Sequence, residues 1–200
     1  MDSVFKALAD CCSTVCTRRP GKHWGNFANT WIFVPWPASS ERGKVELMAD
    51  SRFVYVTYIR TTPEKLWRAL LDPEFTRQYW FETWHESEWN PGAAWRLMIP
   101  DGRVGHSGEV LEVESQRRLV LSWRAEFNPE LRAEGDSRVT FELEPQGESV
   151  KLTVVHEIDQ PDSKLVKTLS NGWPHLLASL KSLLETGESL VETRRWPKGL

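Results

Sequence analysis

The feature that most constrains this chain is a change of period along it. From Phe53 to Ile158 short runs alternate apolar and polar residues between turn formers, and from Ser163 to Glu185 the apolar spacing becomes helical. Strand side chains alternate between two faces, so successive alternating runs build a sheet with one apolar face. Connections this short make that sheet antiparallel. Its apolar face must be covered, and the only segment long enough is the terminal helix, ~30 Å for ~20 residues. Leu165, Leu169, Trp173, Leu176, Leu177, Leu180, Leu183 and Leu184 form the stripe of that helix, and Pro174 predicts a kink or a split in it.

The remaining elements follow from local chemistry. Residues 53–61 are β-branched and aromatic and read as a strand. Thr62 is a helix N-cap with Pro63 and Glu64 in the first turn, and Leu66, Trp67, Leu70 and Leu71 give a short amphipathic helix. Pro73 ends it, and Glu74 to Tyr79 make one or two further turns. Strands are predicted over 81–89, 93–99, 104–113, 119–127, 139–143 and 150–158, with turns at Asn90-Pro91-Gly92, at Asp101-Gly102, at 116–118 and at 145–147. The class is α+β: one strand, two short helices, six more strands, one long helix.

Alternation places Trp95, Leu97 and Ile99 together, as it does Leu119, Leu121, Trp123 and Ala125, then Val139, Phe141 and Leu143, and then Val150, Leu152, Val154 and His156. The face of His106 is ambiguous. Either histidine reads as a polar anchor for a ligand carboxylate or hydroxyl, or as a core residue bonded to backbone. His85, between Trp84 and Glu86, reads as part of a flap, His175 as surface, and Glu86 and Glu88 as solvated.

Residues 1–50 carry none of this order. They hold all three cysteines and three of the 11 tryptophans (Trp24, Trp31, Trp36), broken by Pro20, Pro35, Pro37 and several glycines. Domains are therefore expected at 1–50, an irregular segment; 51–187, the folded domain; and 188–200, a tail. The start lacks the basic, apolar and small-residue order of a signal peptide, which points to the cytoplasm, and no stretch is apolar enough to span a membrane. Cys11, Cys12, Cys16 and His23 match no common zinc spacing, so no metal or cofactor is expected. The net charge of -3 lends nucleic acid no support as a partner.

Over residues 53–187 the order of elements and several strings resemble a known family, the START-like helix-grip domains related to the C-terminal domain of the activator of heat-shock-protein-90 ATPase. The strings are Thr62-Pro63-Glu64 with Leu66-Trp67, Asp72-Pro73-Glu74, Asn90-Pro91-Gly92, Gly108-Glu109-Val110, Arg118-Leu119-Val120 and Gly172-Trp173. The resemblance implies a curved seven-stranded antiparallel sheet gripping the terminal helix, with a cavity between them that takes an apolar ligand. On that footing the candidate ligand-binding residues are Trp80, Trp95, Leu97, His106, Trp123, Phe141, His156, Trp173 and Leu177. Ligand binding becomes the default reading if Trp95, Trp123, His156 and Trp173 face an open space. Trp80, Trp84, Trp89 and Trp95 are placed near the entrance, with core or dimer packing as the alternative, and a homodimer is an assembly open to the chain. No nucleophile and base stand at motif spacing and no glycine loop cradles phosphate, so the domain is expected to be non-enzymatic, a sensor of a small apolar or amphipathic ligand. The other readings are a transcriptional regulator, a chaperone-interaction module by analogy with the activator, and an enzyme resembling the polyketide cyclases of this fold.

Met1 to Asp10 resembles the opening of an ArsR-type winged-helix repressor, and the resemblance stops at Cys11. Cysteine and tryptophan codons both begin TG, and a frame starting one base earlier turns Cys11, Cys12 and Trp24 into leucines. The segment is thus expected to be an out-of-frame remnant of a DNA-binding domain. As written it has Pro35 and Pro37 where a recognition helix would lie, and too few basic residues to track phosphates.

Overall fold

The computed structural model describes residues 51–196. The readings made on residues 1–50 (the cysteine cluster, the early tryptophans, the winged-helix remnant and any DNA binding) lie outside the described residues.

The elements are β1 (Ser51–Ile59), α1 (Pro63–Leu71), α2 (Pro73–Tyr79), β2 (Trp84–Ser87), β3 (Ala94–Met98), β4 (Val104–Glu114), β5 (Arg118–Ala125), α3 (Pro129–Arg132), β6 (Ser137–Gln146), β7 (Ser149–Ile158) and α4 (Lys164–Thr186), followed by a 3-10 turn at Val191–Thr193. The strands form one antiparallel sheet in the order β1-β7-β6-β5-β4-β3-β2, with the apolar stripe of α4 buried in the same core as its inward residues. This is the helix-grip architecture expected from the sequence, with β1 and β2 as its two edges. Among the described residues no helix is long and apolar enough to cross a membrane.

The two short helices are set by their caps. Thr62 accepts from Lys65 N at 3.3 Å, and Asp72 both closes α1 on Arg68 O at 2.9 Å and caps α2 by accepting from Glu74 N at 2.9 Å. Pro63 and Pro73 occupy first-turn positions, where the missing N–H costs nothing. The predicted strand over 81–89 shrinks to four residues because Phe81, Glu82 and Trp89 have φ of 50, 61 and 52°, in the left-handed region that breaks a ladder. The strand predicted over 139–143 is ten residues long, because its pairing with β7 runs from Arg138↔Glu157 to Gln146↔Ser149. α3 was not expected: Asn128 Oδ1 caps it at Glu130 N and Leu131 N, but four residues are too few to show a period.

Pro174 does not split α4, which runs unbroken through it. Asn171, Gly172 and His175 beside it are exposed, while Trp173, Leu176 and Leu177 stay packed on the sheet. The start of α4 is held from outside the helix. Glu134 accepts from Ser163 Oγ (2.6 Å), Lys164 N (3.0 Å) and Leu165 N (3.2 Å), placing a carboxylate on three donors at a helix N-terminus. Burial works against its charge, but these hydrogen bonds prevail and hold the carboxyl below its ordinary range. Replacing Glu134 with Ala is expected to cost about 2 kcal/mol in urea unfolding. A loss below a few tenths would show that the N-cap Ser163, which itself accepts from Val166 N, suffices alone.

The segment after α4 returns to the sheet edge. Phe81 N donates to Thr193 O at 2.7 Å and Trp196 N donates to Glu82 Oε2 at 3.2 Å, so the left-handed turn before β2 is tied down by the chain's C-terminal stretch. Thr193 is itself buried and donates to Ser179 Oγ of α4 at 2.6 Å.

Candidate functional site

Four tryptophans meet between the layers: Trp80 at the end of α2, Trp95 of β3, Trp123 of β5 and Trp173 of α4. Ring centroids are 4.6 Å apart for Trp95 and Trp123, 5.6 Å for Trp80 and Trp173, and 5.7 Å for Trp123 and Trp173. Trp80 stacks nearly parallel to Trp123 at 6.4 Å. All four are buried. Such aromatic pairs are worth about 1 kcal/mol each beyond the area they bury.

A buried indole needs an acceptor for its N–H. Trp95 Nε1 donates to Ser122 O at 2.9 Å, Trp123 Nε1 to His106 Nδ1 at 2.9 Å, and Trp173 Nε1 to His156 Nδ1 at 3.1 Å. With Nδ1 accepting, each histidine carries its proton on Nε2. His156 then donates from Nε2 to Ser137 Oγ at 2.7 Å, and the Ser137 hydroxyl donates to Trp123 O at 2.9 Å. Every proton in that chain has one place to be. Burial pushes His106 down to about 4 and His156 to about 3, so both rings are neutral near pH 7.

His85 of β2 is the third buried histidine. Leu70 O can only accept, so at 3.2 Å it takes the proton of Nδ1 and leaves Nε2 as an acceptor. Nε2 is buried and has no partner; among the described residues only Thr61 Oγ1 shares that condition. Burial pushes His85 down to about 4. The edges of Trp80, Trp89 and Trp95 surround the ring at 5.2, 5.8 and 6.0 Å.

His85 borders an enclosed cavity of ≈ 10 Å³. Leu70, Trp80 and Trp89 complete its helix and flap side, and Leu119, Leu121, Trp123 and Phe141 its sheet side.

Of the residues singled out from the sequence, Trp80, Trp123 and Phe141 line this cavity, Trp95 and Trp173 pack against its walls, and Leu97 and Leu177 are buried in the same core. His106 and His156 lie behind Trp123 and Trp173 as acceptors, bonded to side chains rather than only to backbone. The condition set on the sequence, an open space before Trp95, Trp123, His156 and Trp173, is not met: of the four only Trp123 borders the cavity, and their rings pack against one another. Sequence reasoning missed His85, Leu70, Leu119 and Leu121 as cavity residues and set Trp89 only near the entrance. The signal available for His85 was period-2 alternation with Thr83, which is also buried, against exposed Glu82 and Glu86. Trp84 turns outward, under the Arg77 guanidinium at 4.0 Å. Among the described residues no three His, Cys, Asp or Glu side chains are grouped to hold a metal ion.

The comparisons agree with this fold. Residues 60–185 match the family model described as activator of Hsp90 ATPase homolog 1-like protein. Among solved structures, protein MLL2253 from Mesorhizobium loti is 28% identical, with a TM-score of 0.57 over 67% of this chain and 96% of that one. DynU16, from the dynemicin biosynthetic locus, is 23% identical, with a TM-score of 0.59 over 72% of this chain and 49% of that one. The Aha1 dimer from Colwellia psychrerythraea is 18% identical, with a TM-score of 0.56 over 70% and 99%. The search of curated proteins gives no match. DynU16 corrects the expectation of a non-enzymatic domain: this fold occurs in a protein of a biosynthetic locus, so a missing nucleophile–base motif is no ground for excluding catalysis. The family match covers well over half of the sequence, and the chain belongs to the activator of Hsp90 ATPase homolog 1-like family.

Proposed function

We propose that this domain binds a small, largely apolar molecule between the sheet and the helices, at the cavity walled by Trp80, Trp89 and Trp123. The observation that carries the reading is the wall on the β2 side. The cavity is lined by apolar side chains from both layers, and one of its walls is a four-residue edge strand between left-handed, non-glycine residues. At ≈ 10 Å³ the closed cavity has room for about one water, so a larger occupant needs that wall to move outward.

The wall suits such a movement. β2 pairs with β3 alone, over four residues, while each inner strand is held on both sides. Left-handed backbone at Phe81, Glu82 and Trp89 stores of order 1 kcal/mol or more at each residue, which offsets part of the hold that Thr193 O and Trp196 N keep on the turn before β2. The rigid part of the site, Leu119, Leu121, Trp123 and Phe141, lies on central strands β5 and β6. An occupant would replace ring–ring contacts by ring–ligand contacts of the same kind, so the exchange costs little dispersion energy.

Titration with 2-methylnaphthalene tests this. The indole N–H resonances of Trp80 and Trp89, which line the cavity, should shift on saturation. Unmoved core indoles up to the solubility limit of the probe would overturn the reading.

A further inference from the structure

Resting on the ligand-binding reading above, we infer that the ligand is a neutral apolar molecule carrying one hydrogen-bond donor, a phenol in its simplest form, and that the unpaired Nε2 of His85 selects it by accepting that hydrogen bond. Neither the fold nor the family match assigns His85 a role.

Its geometry does. The ring is held in one tautomer by Leu70 O at 3.2 Å, which occupies the only proton of the neutral imidazole. What remains for an occupant is a lone pair, buried without a partner in the wall of the cavity. A buried acceptor without a donor is costly, and proteins rarely keep one without a use for it. Water is a poor occupant here. The volume fits one molecule, but ordered buried waters make about three hydrogen bonds, and the other seven lining side chains are leucines, tryptophans and a phenylalanine. A hydroxyl on an aromatic or aliphatic body meets both requirements, one donor for Nε2 and apolar surface for the rest.

The same geometry disfavours anions at Nε2. A carboxylate there would need a donor, and the nearest histidine protons are committed to Leu70 O and, through His156, to Ser137. Burial keeps His85 uncharged near neutral pH, so it does not become a donor on Nε2. The site therefore discriminates by hydrogen-bond polarity: donors are accepted, while ethers and carboxylates of the same size are not.

Calorimetric titration of the full chain at pH 7.5 with 2-naphthol, 2-methylnaphthalene, 2-methoxynaphthalene and 2-naphthoate tests this. The inference expects 2-naphthol to bind about tenfold more tightly than the methyl and methoxy compounds, and 2-naphthoate more weakly than either. In His85→Phe, which keeps a ring against Trp80, the advantage of 2-naphthol over 2-methylnaphthalene should fall below twofold. Should that variant not fold, the ¹⁵N resonance of His85 Nε2 in the wild-type protein reads the same bond: it should shift with 2-naphthol and stay in place with 2-methylnaphthalene. Equal affinity for the neutral probes, or an advantage that survives in His85→Phe, overturns the selection by His85 and leaves ligand binding standing. Failure of all four to bind overturns the ligand-binding reading itself.

Discussion

Lowering the pH from 7 to about 4.5 is expected to unfold this domain before its carboxylates are the cause. Three histidines are buried neutral, with His85 and His106 pushed down to about 4 and His156 to about 3, against about 6.5 in an unfolded chain. A histidine with a folded value below its unfolded one stabilises the fold fully above pH 6.5, and loses that stabilisation as the pH falls toward the folded value. In that window the unfolded chain binds nearly three protons more than the folded one, so stability should fall by roughly 4 kcal/mol per pH unit near pH 5. Between pH 6.5 and 4.5 the loss is about 2 kcal/mol per ring, roughly 7 in all, comparable to the whole stability of a typical domain. The geometry gives the reason. A proton on Nδ1 of His106 or His156 would face the N–H of Trp123 or Trp173 at 2.9 and 3.1 Å, turning a hydrogen bond into a clash of donors. Urea titrations at half-unit intervals from pH 7.5 to 5, followed by near-ultraviolet circular dichroism of the tryptophan cluster, measure the slope. A stability that stays level from pH 7 to pH 5.5 would mean that the rings take up protons without leaving the core.

What could be read from the sequence is what local chemistry decides. Thr62-Pro63 and Asp72-Pro73 start helices through hydrogen bonds that span two or three residues, and both helices start where the sequence places them. Alternation put Trp95, Trp123 and His156 on the inner face, and all three are there. The side chains then did what alternation cannot express. The rings of Trp80, Trp95, Trp123 and Trp173 come from elements 15 to 93 residues apart in sequence, and whether they leave space or fill it depends on their mutual angles. His85 escaped notice because the alternation that marks its face spans only Glu82 to Glu86, in a four-residue strand flanked by left-handed residues. Catalytic competence was judged from motif spacing, yet groups that converge in space need no spacing in sequence, and the solved relatives removed that inference.

Gly108→Ala is expected to be the most damaging conservative substitution in the sheet. Gly108 faces Trp95 across β3 and β4, where the pairing of β4 with β5 passes from Ser107↔Arg124 to Val110↔Leu121. Two substitutes fill the ladder between them: Glu109 N donates to Ser122 Oγ at 2.8 Å, and the Trp95 indole reaches through to Ser122 O at 2.9 Å. The indole passes where a side chain at 108 would be. A Cβ there would lie 2.0 Å from Ser122 O and 2.7 Å from both Ser122 C and Trp95 Nε1, and the first two are backbone of a central strand, so neither can turn aside. One methyl must part β4 from β5 to clear Ser122, and it also displaces the Trp95 indole from Ser122 O and disturbs its 4.6 Å contact with Trp123. The expected cost is about 4 kcal/mol or more, at the level of core truncations. Two other glycines set the scale. At Gly105 the added Cβ would meet the Ile99 Cγ2 methyl at 3.3 Å, an overlap of a few tenths of an ångström with a stiff β-branched neighbour and none with backbone, so about 1 kcal/mol is expected. At Gly172, within α4, it would meet nothing within 4 Å, and alanine should stabilise by about 0.5–1 kcal/mol through helix propensity. Urea unfolding of the three variants should therefore rank Gly172→Ala above wild type, Gly105→Ala slightly below it and Gly108→Ala far below. The near-ultraviolet signal of the tryptophan cluster should change only in the last. If Gly108→Ala falls within 1 kcal/mol of wild type, the indole does not thread the ladder, and Trp95 is an ordinary inward residue of β3.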